Sequence, residues 1–238
     1  MKRILSLVLG LTTIFATAGV SWAWTAEKDS TERLRNAGAV LNEIMAAPDK
    51  GIPEEVLDNA KCIVVIPNLV KGGFVFGAKH GRGVATCRTS TGWSAPAFIS
   101  VGGGSWGLQI GVEGVDLVML VMNDAGLQHL LSSKFQLSGE GSAAAGPVGR
   151  HASAGTDWKM NAELLTYSRS KGVFAGLTLE GAVVEPDEDS TIAIYGKDKH
   201  FRDILMGAVP TPPSAEPFLA AVKTASHKAA VSEAHDPK

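Results

Sequence analysis

The stretch from Lys71 to Val84 most constrains the fold, because it combines glycines, alternating aromatic residues and basic side chains without any acid. Phe74 and Phe76 lie two positions apart, so a strand would direct both rings to the same face. The glycines of this stretch allow tight turns and close approach of the backbone to a ligand. The pattern therefore predicts a basic β-hairpin that suits anion binding better than catalysis.

The N-terminus has the pattern of a secretory signal peptide. Lys2 and Arg3 precede an apolar run over residues 4–20, and small residues at 21–23 provide a cleavage site. A retained membrane anchor is the alternative interpretation of this run. We expect a mature chain that begins at Trp24 in an oxidising, periplasmic space, where peripheral attachment to a membrane is compatible with this location.

Length and charge predict one globular domain with no nucleic-acid partner. Removing residues 1–23 from the 238-residue chain leaves 215 residues, which is long enough for a sizeable core. The removed segment carries two positive charges, so the formal net charge moves from −2 to −4. Nucleic-acid-binding domains are normally basic. We assign residues 1–23 to the signal peptide, 24–207 to a single domain, and 208–238 to a proline-rich link with a C-terminal helix or tail.

Cys62 and Cys87 are the only cysteines of the sequence. An even pair in an exported protein suggests a disulfide, and each cysteine lies in a segment with a strand pattern. Two buried, unpaired thiols are the other interpretation. The sequence leaves both possibilities open.

The hydrophobic periodicity predicts helices near both ends of the domain and strands between them. An apolar stripe with helical spacing follows Asp29 and ends near Pro48, and a second, short helix follows Pro53. A strand over 62–66 is expected to close at Pro67. Further strand patterns lie over 73–79, 83–89, 95–101, 108–112, 115–122, 162–169 and 173–185, separated by turn-forming residues. This order indicates an α+β fold, an antiparallel β-sheet or barrel core with peripheral helices.

Two enzyme motifs occur by letter but not in the required context. Residues 102–107 match the dinucleotide pattern G-x-G-x-x-G, and the same letters contain G-x-S-x-G with Ser105 as the nucleophile. Both motifs need a helix directly after them, whereas a strand pattern follows. No group of side chains has metal-ligand spacing. Asp116 interrupts an apolar strand, and we interpret it as a buried acid satisfied by backbone donors. We expect no catalytic site, metal or cofactor, and a serine hydrolase is the least favoured alternative.

Six blocks of the sequence resemble successive blocks of the SYLF domain. They are AKCIVVIP at 60–67, KGGFVFGAKHGRGV at 71–84, GWSAPAF at 92–98, GSWGLQIG at 104–111, AGPVGR at 145–150 and YSRSKGVFAG at 167–176. The blocks follow the order of the family and cover about residues 30–207. The resemblance implies a lipid-binding domain without catalytic activity. Eukaryotic members of the family are adaptors that bind phosphoinositide-rich membranes, and some yeast members also bind actin.

This chain differs from those adaptors in features that change its expected partners. The signal peptide predicts export, so we do not expect actin to be a partner. The first helix, which contacts lipid in some family members, is slightly acidic here, with Glu27, Asp29, Glu32 and Glu43 among its residues. The bacterial type of signal peptide favours phosphatidylglycerol or cardiolipin over phosphoinositides as the lipid.

The candidate lipid site consists of basic side chains near the turns, with tryptophans beside them. Its residues are Lys71, Lys79, His80, Arg82, Arg88, Trp93 and Trp106, with a second basic set of Arg150, Arg169 and Lys171. Four basic groups at an anionic surface contribute about 4 kcal/mol, which alone gives roughly millimolar affinity. Insertion of the tryptophans would add to it. We expect an exported, non-enzymatic domain that binds anionic phospholipid headgroups at the envelope membrane surface. The alternative is a structural or protein-binding envelope module.

Overall fold

The structure is a computed structural model that describes residues 25–47, 51–73, 76–106, 111–137, 143–147, 162–170, 173–175, 179 and 181–233. Within them the fold is α+β, as the sequence predicts, with helices on both faces of a mixed sheet. The helices are α1 (residues 25–46), α2 (Glu54–Asn59), α3 (Asp124–Leu130), α4 (Glu188–Tyr195), α5 (Phe201–Leu205) and α6 (Glu216–Glu233). The strands are β1 (Cys62–Gly73), β2 (Phe76–Thr89), β3 (Gly92–Trp93), β4 (Ala97–Trp106), β5 (Gly111–Val121), β6 (Phe135–Gln136), β7 (Ala143–Ala145), β8 (Leu164–Ser170), β9 (Val173–Ala175) and β10 (Val183–Pro186).

The predicted basic hairpin lies at the centre of the sheet. The strand order is β6-β10-β4-β2-β1-β5-β8-β7, with β3 paired to β2 and β9 paired to β8. Neighbouring strands are antiparallel except β7 and β8, which are parallel. The long strands β1 and β2 pair from Cys62 opposite Cys87 to Gly73 opposite Gly77. The two strands therefore give the sheet its longest hairpin among the described residues.

The prediction that Pro67 closes the first strand is wrong, because β1 continues to Gly73. The ladder between β1 and β5 shifts register between Ile66 and Leu69, and Asn68 adopts a positive φ of 53°. A bulge leaves a residue unpaired and bends its strand. Proline cannot donate a ladder hydrogen bond, so a bulge is one of the few places where a strand tolerates it.

The glycine-rich turn predicted between residues 79 and 83 is also absent, because these residues lie inside β2. A Cβ atom on Gly83 would lie 2.4 Å from the carbonyl oxygen of Val65. A Cβ atom on Gly81 would lie 2.7 Å from Cγ2 of Ile66. These two glycines therefore allow the bulged part of β1 to pack closely against β2, and they do not reverse the chain.

Both faces of the central strands are buried, which explains their continuous apolar runs. One core lies between the sheet and the helices α1, α2 and α6, and includes Leu34, Leu41, Leu57, Ile63, Val65, Val84, Phe98, Val118, Tyr167, Phe218 and Val222. The other lies on the opposite face and includes Val64, Ile66, Ala85, Ile99, Leu117, Met119, Leu130, Phe135, Ile204 and Leu205. An antiparallel sheet with only one buried face would instead alternate apolar and polar residues.

The two cysteines are joined across the β1–β2 ladder. Cys62 and Cys87 are directly opposite in register, and their sulfur atoms are 2.07 Å apart. Both residues are buried in the core on the face opposite α1. The bond closes a loop of 25 residues that contains the whole basic hairpin.

The C-terminal helix α6 packs against the first helices of the chain. Phe218 and Val222 are fully buried beside residues of α1 and α2. A Cβ atom on Gly38 of α1 would lie 2.6 Å from the carbonyl oxygen of Pro217, so glycine permits this close approach. Within the part of the chain that the structure describes, no helix is both long and apolar enough to cross a membrane.

Candidate functional site

One end of the sheet collects basic and aromatic residues of the predicted lipid site. We call it the hairpin end and define it as residues 71–73 of β1, 76–79 of β2, 104–106 of β4, 111–113 of β5 and Ser170 of β8. In register, Lys71 lies opposite Lys79, and Phe76 lies opposite Trp106. The register therefore places two lysines and two aromatic residues on adjacent strands near the ends of these strands.

The two lysines of the hairpin end share one face of the sheet. Residues directly opposite in an antiparallel pair point to the same side, so Lys71 and Lys79 are neighbours. Lys79 is buried and Lys71 is half-buried. Burial lowers the pKa of Lys71 below its usual value, although the charge of Glu113 on β5 opposes this effect. An anion close to Lys71 would favour its charged form in the same way.

His80 and Arg82 point to the opposite face, toward α1. Side chains alternate along β2, and Val84 belongs to the core under α1 while Ala85 belongs to the other core. Arg82 donates from Nε to Oδ2 of Asp187 at 2.9 Å, and its Nη2 lies 2.8 Å from the same oxygen in a salt bridge. Its Nη2 also donates to Oγ of Ser190 at 2.9 Å. The structure thus separates Arg82 from the two lysines by the thickness of the sheet.

A second arginine, Arg33 of α1, shares the same carboxylate oxygen. Its Nη1 donates to Oδ2 of Asp187 at 2.8 Å, and its Cζ lies 5.5 Å from the centre of the Phe98 ring. Arg33 and Asp187 are each only 8% exposed in their side chains, whereas Arg82 is 42% exposed. We call these three residues the Arg33–Asp187–Arg82 cluster. It ties α1, β2 and the start of α4 together.

The pKa values of the cluster reflect its burial and its charges. Burial alone would raise the pKa of Asp187, but hydrogen bonds from Ser190 and Arg33 outweigh it and hold this pKa below the usual value. Burial lowers the pKa of Arg33, and the positive charge of Arg82 lowers it further. The cluster therefore contains one more positive than negative charge. Asp187 also accepts the backbone N–H of Ser190 and so caps α4.

An open cleft of about 340 Å³ lies beside the cluster, between α1 and the bulged part of the sheet. We call it the α1 cleft. Its lining residues are Asp29, Glu32, Arg33 and Asn36 of α1, Pro67, Asn68 and Val70 of β1, and His80, Gly81 and Arg82 of β2. Arg33 is buried, whereas Asp29 and Glu32 are exposed. The cleft thus has a cationic floor and an acidic rim.

Arg88 and Trp93 lie together at the C-terminal end of α2. Arg88 donates to the carbonyl oxygens of Ala60 and Leu57, at 3.0 Å and 3.2 Å. Its Cζ lies 4.5 Å from the centre of the Trp93 ring, within the range of a cation–π interaction. The last carbonyl groups of a helix have no partner within it, so a cation there stabilises the helix end.

Arg169 lies between α1 and β5, bound to two acids. Its Nη2 donates to Glu43 and, at 3.2 Å, to Oδ2 of Asp116. The other oxygen of Asp116 accepts the backbone N–H of Asn68 at 3.1 Å, which confirms the predicted backbone donor. The predicted burial is wrong, because the Asp116 side chain is half-buried beside Arg169. Asp116 therefore holds the β1 bulge and orients Arg169.

The predicted lipid residues do not form one cluster among the described residues. Lys71, Lys79 and the backbone of Trp106 lie at the hairpin end, while His80 and Arg82 line the α1 cleft. The others are divided between the end of α2, which has Arg88 and Trp93, and the α1–β5 contact, which has Arg169. Arg150, Lys171 and the side chain of Trp106 lie outside the described residues.

The glycine motifs of residues 102–107 lack the context that their chemistry requires. Residues 102–106 continue β4, and Ser105 pairs with Gly77 of β2. A nucleophile elbow or a dinucleotide loop would turn from a strand into a helix. In the described part of the chain, no group of three His, Cys, Asp or Glu side chains is placed to hold a metal ion.

Sequence reasoning missed the Arg33–Asp187–Arg82 cluster and the cleft beside it. Asp187 is separated from Arg33 by 154 positions and from Arg82 by 105. The available signal was local: Asp187 with Ser190 three residues later at the start of a helix. That signal predicts the cap of α4 but not the arginines that reach it.

Comparison with known proteins identifies relatives over most of the chain. The profile of the family described as "Ysc84: Las17-binding protein actin regulator" matches residues 102–225. SH3 domain-containing YSC84-like protein 1 of Rattus norvegicus is 35% identical over 171 residues, which are 71% of this chain and 50% of that protein. Protein YSC84 of Saccharomyces cerevisiae is 34% identical over 182 residues, which are 75% of this chain and 38% of that protein. LAS seventeen-binding protein 3 of the same species is 34% identical over 182 residues, 75% and 39% respectively. The chain thus spans half or less of the length of these relatives.

Proposed function

Because this chain belongs to the Ysc84 family, whose domain is also called SYLF, we propose that it is a binding domain without catalytic activity. We further propose that its hairpin end binds the anionic headgroups of a phospholipid surface. The names of its relatives describe SH3-containing proteins, Las17 binding and actin regulation. Those names belong to longer proteins, of which this chain covers half or less.

The observation that carries the proposal is the pairing of Lys71 with Lys79 next to the pairing of Phe76 with Trp106. A lysine at an anionic surface contributes about 1 kcal/mol, and the buried Lys79 contributes less than the half-buried Lys71. Two lysines alone would bind only weakly, so apolar residues must enter the interface as well. Phe76 and Trp106 are the aromatic residues of this end, and tryptophan is typical of the headgroup region of membranes.

The structural roles of the other basic residues support the choice of this end. Arg82 and Arg169 donate to carboxylates, and Arg88 donates to the end of α2. Arg88 and Arg169 are engaged in these internal contacts, and Arg82 faces the other side of the sheet, so none of them lies beside Lys71 at the hairpin end. The proposed site is therefore smaller than the set of residues that the sequence suggested.

We propose that the domain acts outside the cytoplasm, on the periplasmic side of a membrane. The signal-peptide pattern of residues 1–23 supports this location. The Cys62–Cys87 bond also supports it, since disulfides persist mainly in oxidising compartments. At this location actin would not be a partner, and phosphatidylglycerol or cardiolipin would supply the negative charge.

Vesicle flotation with the purified mature chain tests the lipid proposal. The protein should float with phosphatidylglycerol vesicles at low salt. It should remain at the bottom of the gradient when the vesicles are phosphatidylcholine, because the attraction to lysine requires a net negative charge on the lipid. Changing Lys71→Gln and Lys79→Gln together should abolish most of the flotation. The control is Lys197→Gln with Lys223→Gln, which removes two exposed lysines elsewhere. Equal flotation with both kinds of vesicle would reject the proposal.

A protein-binding envelope module is the second candidate function. The names of the relatives favour it, because they describe binding to another protein. Affinity capture from an envelope extract, compared with flotation in the same buffer, separates the two candidates. If the chain captures a specific protein and does not bind anionic vesicles, the result favours this second function.

A further inference from the structure

The α1 cleft has a distribution of charge that differs from that of the hairpin end. Its floor holds two guanidinium groups against one carboxylate, because Arg33 and Arg82 both donate to Oδ2 of Asp187. Its rim holds Asp29 and Glu32, which are exposed. The cleft therefore presents an excess positive charge inside and negative charge at the entrance.

The cationic floor is rigidly held before any ligand arrives. Arg33 is buried between Asp187 and the Phe98 ring. Arg82 is fixed by Asp187 and by Oγ of Ser190, although 42% of its side chain remains exposed. Groups that are already oriented lose little side-chain entropy on binding, which favours affinity. Burial and the neighbouring charge of Arg82 lower the pKa of Arg33, and the charges of Asp187 and Asp29 oppose this effect without cancelling it.

The acidic rim lies on one side of α1. Asp29 and Glu32 are three positions apart, which places their side chains on the same face of the helix. Among the described residues neither carboxylate forms a salt bridge, but the charge of Asp29 acts on Arg33, four positions along α1, and works against the burial that lowers the pKa of Arg33. The two acids would repel a simple anion that enters the cleft, and the arginines of the floor would repel a simple cation. Like-charge contacts of this kind disfavour both.

A ligand with both charges satisfies the two parts of the cleft. We propose that the α1 cleft binds a zwitterion in which a phosphate, held by Arg82 and Arg33, is joined by a short linker to an ammonium group held by Asp29 and Glu32. Arginine suits a phosphate because its N–H groups match two oxygens at once. A primary ammonium suits carboxylates because all its N–H groups are donors.

The size and the walls of the cleft fit a molecule such as a phosphoethanolamine ester. Its volume of about 340 Å³ is near the lower limit for ligand cavities, which suits a headgroup and not a whole lipid. Asn36 and Asn68 add polar groups, and Val70, which is 41% exposed, adds an apolar wall. Either a soluble ester or the headgroup of a membrane lipid could provide this chemistry. The inference does not depend on the hairpin end, which lies on other residues and prefers net negative charge.

The experiment uses glycerophosphoethanolamine, titrated into the mature chain and followed by isothermal calorimetry and amide NMR shifts. Glycerol phosphate and ethanolamine serve as the two half-ligands. The whole ligand should bind at least about tenfold more tightly than either half, since each charged contact is worth roughly a factor of ten. The NMR shifts should concentrate in α1 and in residues 67–70 and 80–82. Equal affinities for the whole ligand and glycerol phosphate would overturn the proposal.

Variants of the exposed rim test the assignment without threatening the fold. Asp29→Asn with Glu32→Gln should weaken glycerophosphoethanolamine about tenfold and leave glycerol phosphate unchanged or tighter. Glu27→Gln is the control, because Glu27 is exposed on α1 but does not line the cleft. Arg82→Gln should weaken both phosphate ligands, with thermal melts recorded to confirm that the variant is folded. An unchanged affinity in the rim variant would overturn the proposal.

A vesicle arm distinguishes the two sources of the ligand. Phosphatidylethanolamine vesicles should bind the chain better than phosphatidylcholine vesicles if the headgroup of a lipid reaches the cleft, and the rim variant should remove this difference. Binding of the soluble ester with no difference between these vesicles would identify a soluble ligand in the same site. The Lys71→Gln and Lys79→Gln variant should retain the soluble ester, so failure of one proposal does not imply failure of the other.

Discussion

The hairpin end and the α1 cleft both contain two basic residues from the predicted lipid site, but the structure uses them differently. Lys71 and Lys79 lie side by side across a strand pair. His80 and Arg82 are their neighbours in β2, yet they face α1, where Asp187 holds Arg82. Basic residues that are adjacent in sequence thus serve two surfaces, because side chains alternate along a strand. The comparison shows that charge in a sequence motif cannot be assigned to one site before the faces are known.

The largest expected effect on the free energy of unfolding comes from removing the carboxylate of Asp187, which binds Arg33 and Arg82. Changing Asp187→Ala leaves the buried Arg33 without a carboxylate and removes the cap of α4. Breaking a buried ion pair on one side typically costs about 3–5 kcal/mol. We expect the free energy of unfolding, measured with urea, to fall by about this amount. Asp189→Ala is the control, since Asp189 is exposed in the same helix. A loss below about 1 kcal/mol would show that the cluster is not structural.

Removing the disulfide tests the covalent link between the strands that carry both regions. Disulfides typically contribute about 2–4 kcal/mol by restricting the unfolded chain. Changing Cys62→Ala and Cys87→Ala together should lower the free energy of unfolding by about this amount, plus the effect of lost packing. Mass spectrometry after alkylation, with and without reductant, checks that the wild-type thiols are bonded. Two alkylated thiols in the unreduced protein would contradict the link.

Two glycines on neighbouring strands test the close approach of β1 and β2 at the bulge. Gly83→Ala would place a Cβ 2.4 Å from the carbonyl oxygen of Val65, whereas Gly102→Ala in β4 meets no atom within 4 Å. Overpacking costs about 1–3 kcal/mol, while an alanine in open space changes stability by less than about 0.5 kcal/mol. Chemical denaturation of both variants measures the difference. Equal stabilities would mean that β1 and β2 do not approach closely at the bulge.

The pH dependence of stability tests the contribution of Asp187 to the Arg33–Asp187–Arg82 cluster. The pKa of Asp187 is lowered in the folded state, so its stabilising effect is fully present above its unfolded pKa of about 4. This contribution is lost as the pH falls through the lowered folded value. The free energy of unfolding should therefore decrease below about pH 4 in the wild type, and less so in Asp187→Asn. Identical acid profiles for the two proteins would contradict this assignment.

The smallest stability effect is expected at the hairpin end. Lys71→Gln removes a charge whose pKa burial already lowers, so the free energy of unfolding should change by less than about 0.5 kcal/mol. The same variant should still weaken binding to phosphatidylglycerol vesicles by about fivefold, the equivalent of one lysine. Thermal melts and vesicle titrations of one preparation give both values. A marked loss of stability would show that Lys71 has a structural role and would contradict this prediction.

Periodicity in the sequence predicted the central strands because burial on both faces leaves strong apolar runs. It divided β2 at residues 79–83 and joined β9 and β10 into one strand over 173–185, and both of these predictions are wrong. The runs at Cys62–Ile66 and around Leu117–Val121 each became a central strand. The bulge at Pro67 was missed, because it depends on Asp116, which lies 48 positions from Asn68. Local patterns carry turn and helix signals, but long-range side-chain contacts leave no trace in a single sequence.

The candidate site was only partly predictable for the same reason. Composition identified the basic residues, and register then placed Lys71 beside Lys79. Local sequence patterns do not separate these lysines from Arg82, Arg88 and Arg169, whose acceptors come from distant segments. A single sequence does not distinguish an arginine that binds a lipid from an arginine that binds a buried carboxylate.

The most direct test of the account is the dissociation constant for phosphatidylglycerol vesicles, measured for the wild type, for Lys71→Gln with Lys79→Gln, and for Arg82→Gln. Lys71 at about 1 kcal/mol and the buried Lys79 at less predict a weakening of about 5-fold to 30-fold in the lysine variant. The account predicts little change in Arg82→Gln, because Arg82 faces the α1 cleft. An unchanged lysine variant beside a weakened Arg82→Gln would contradict the account and move the anionic lipid site to the other face of the sheet.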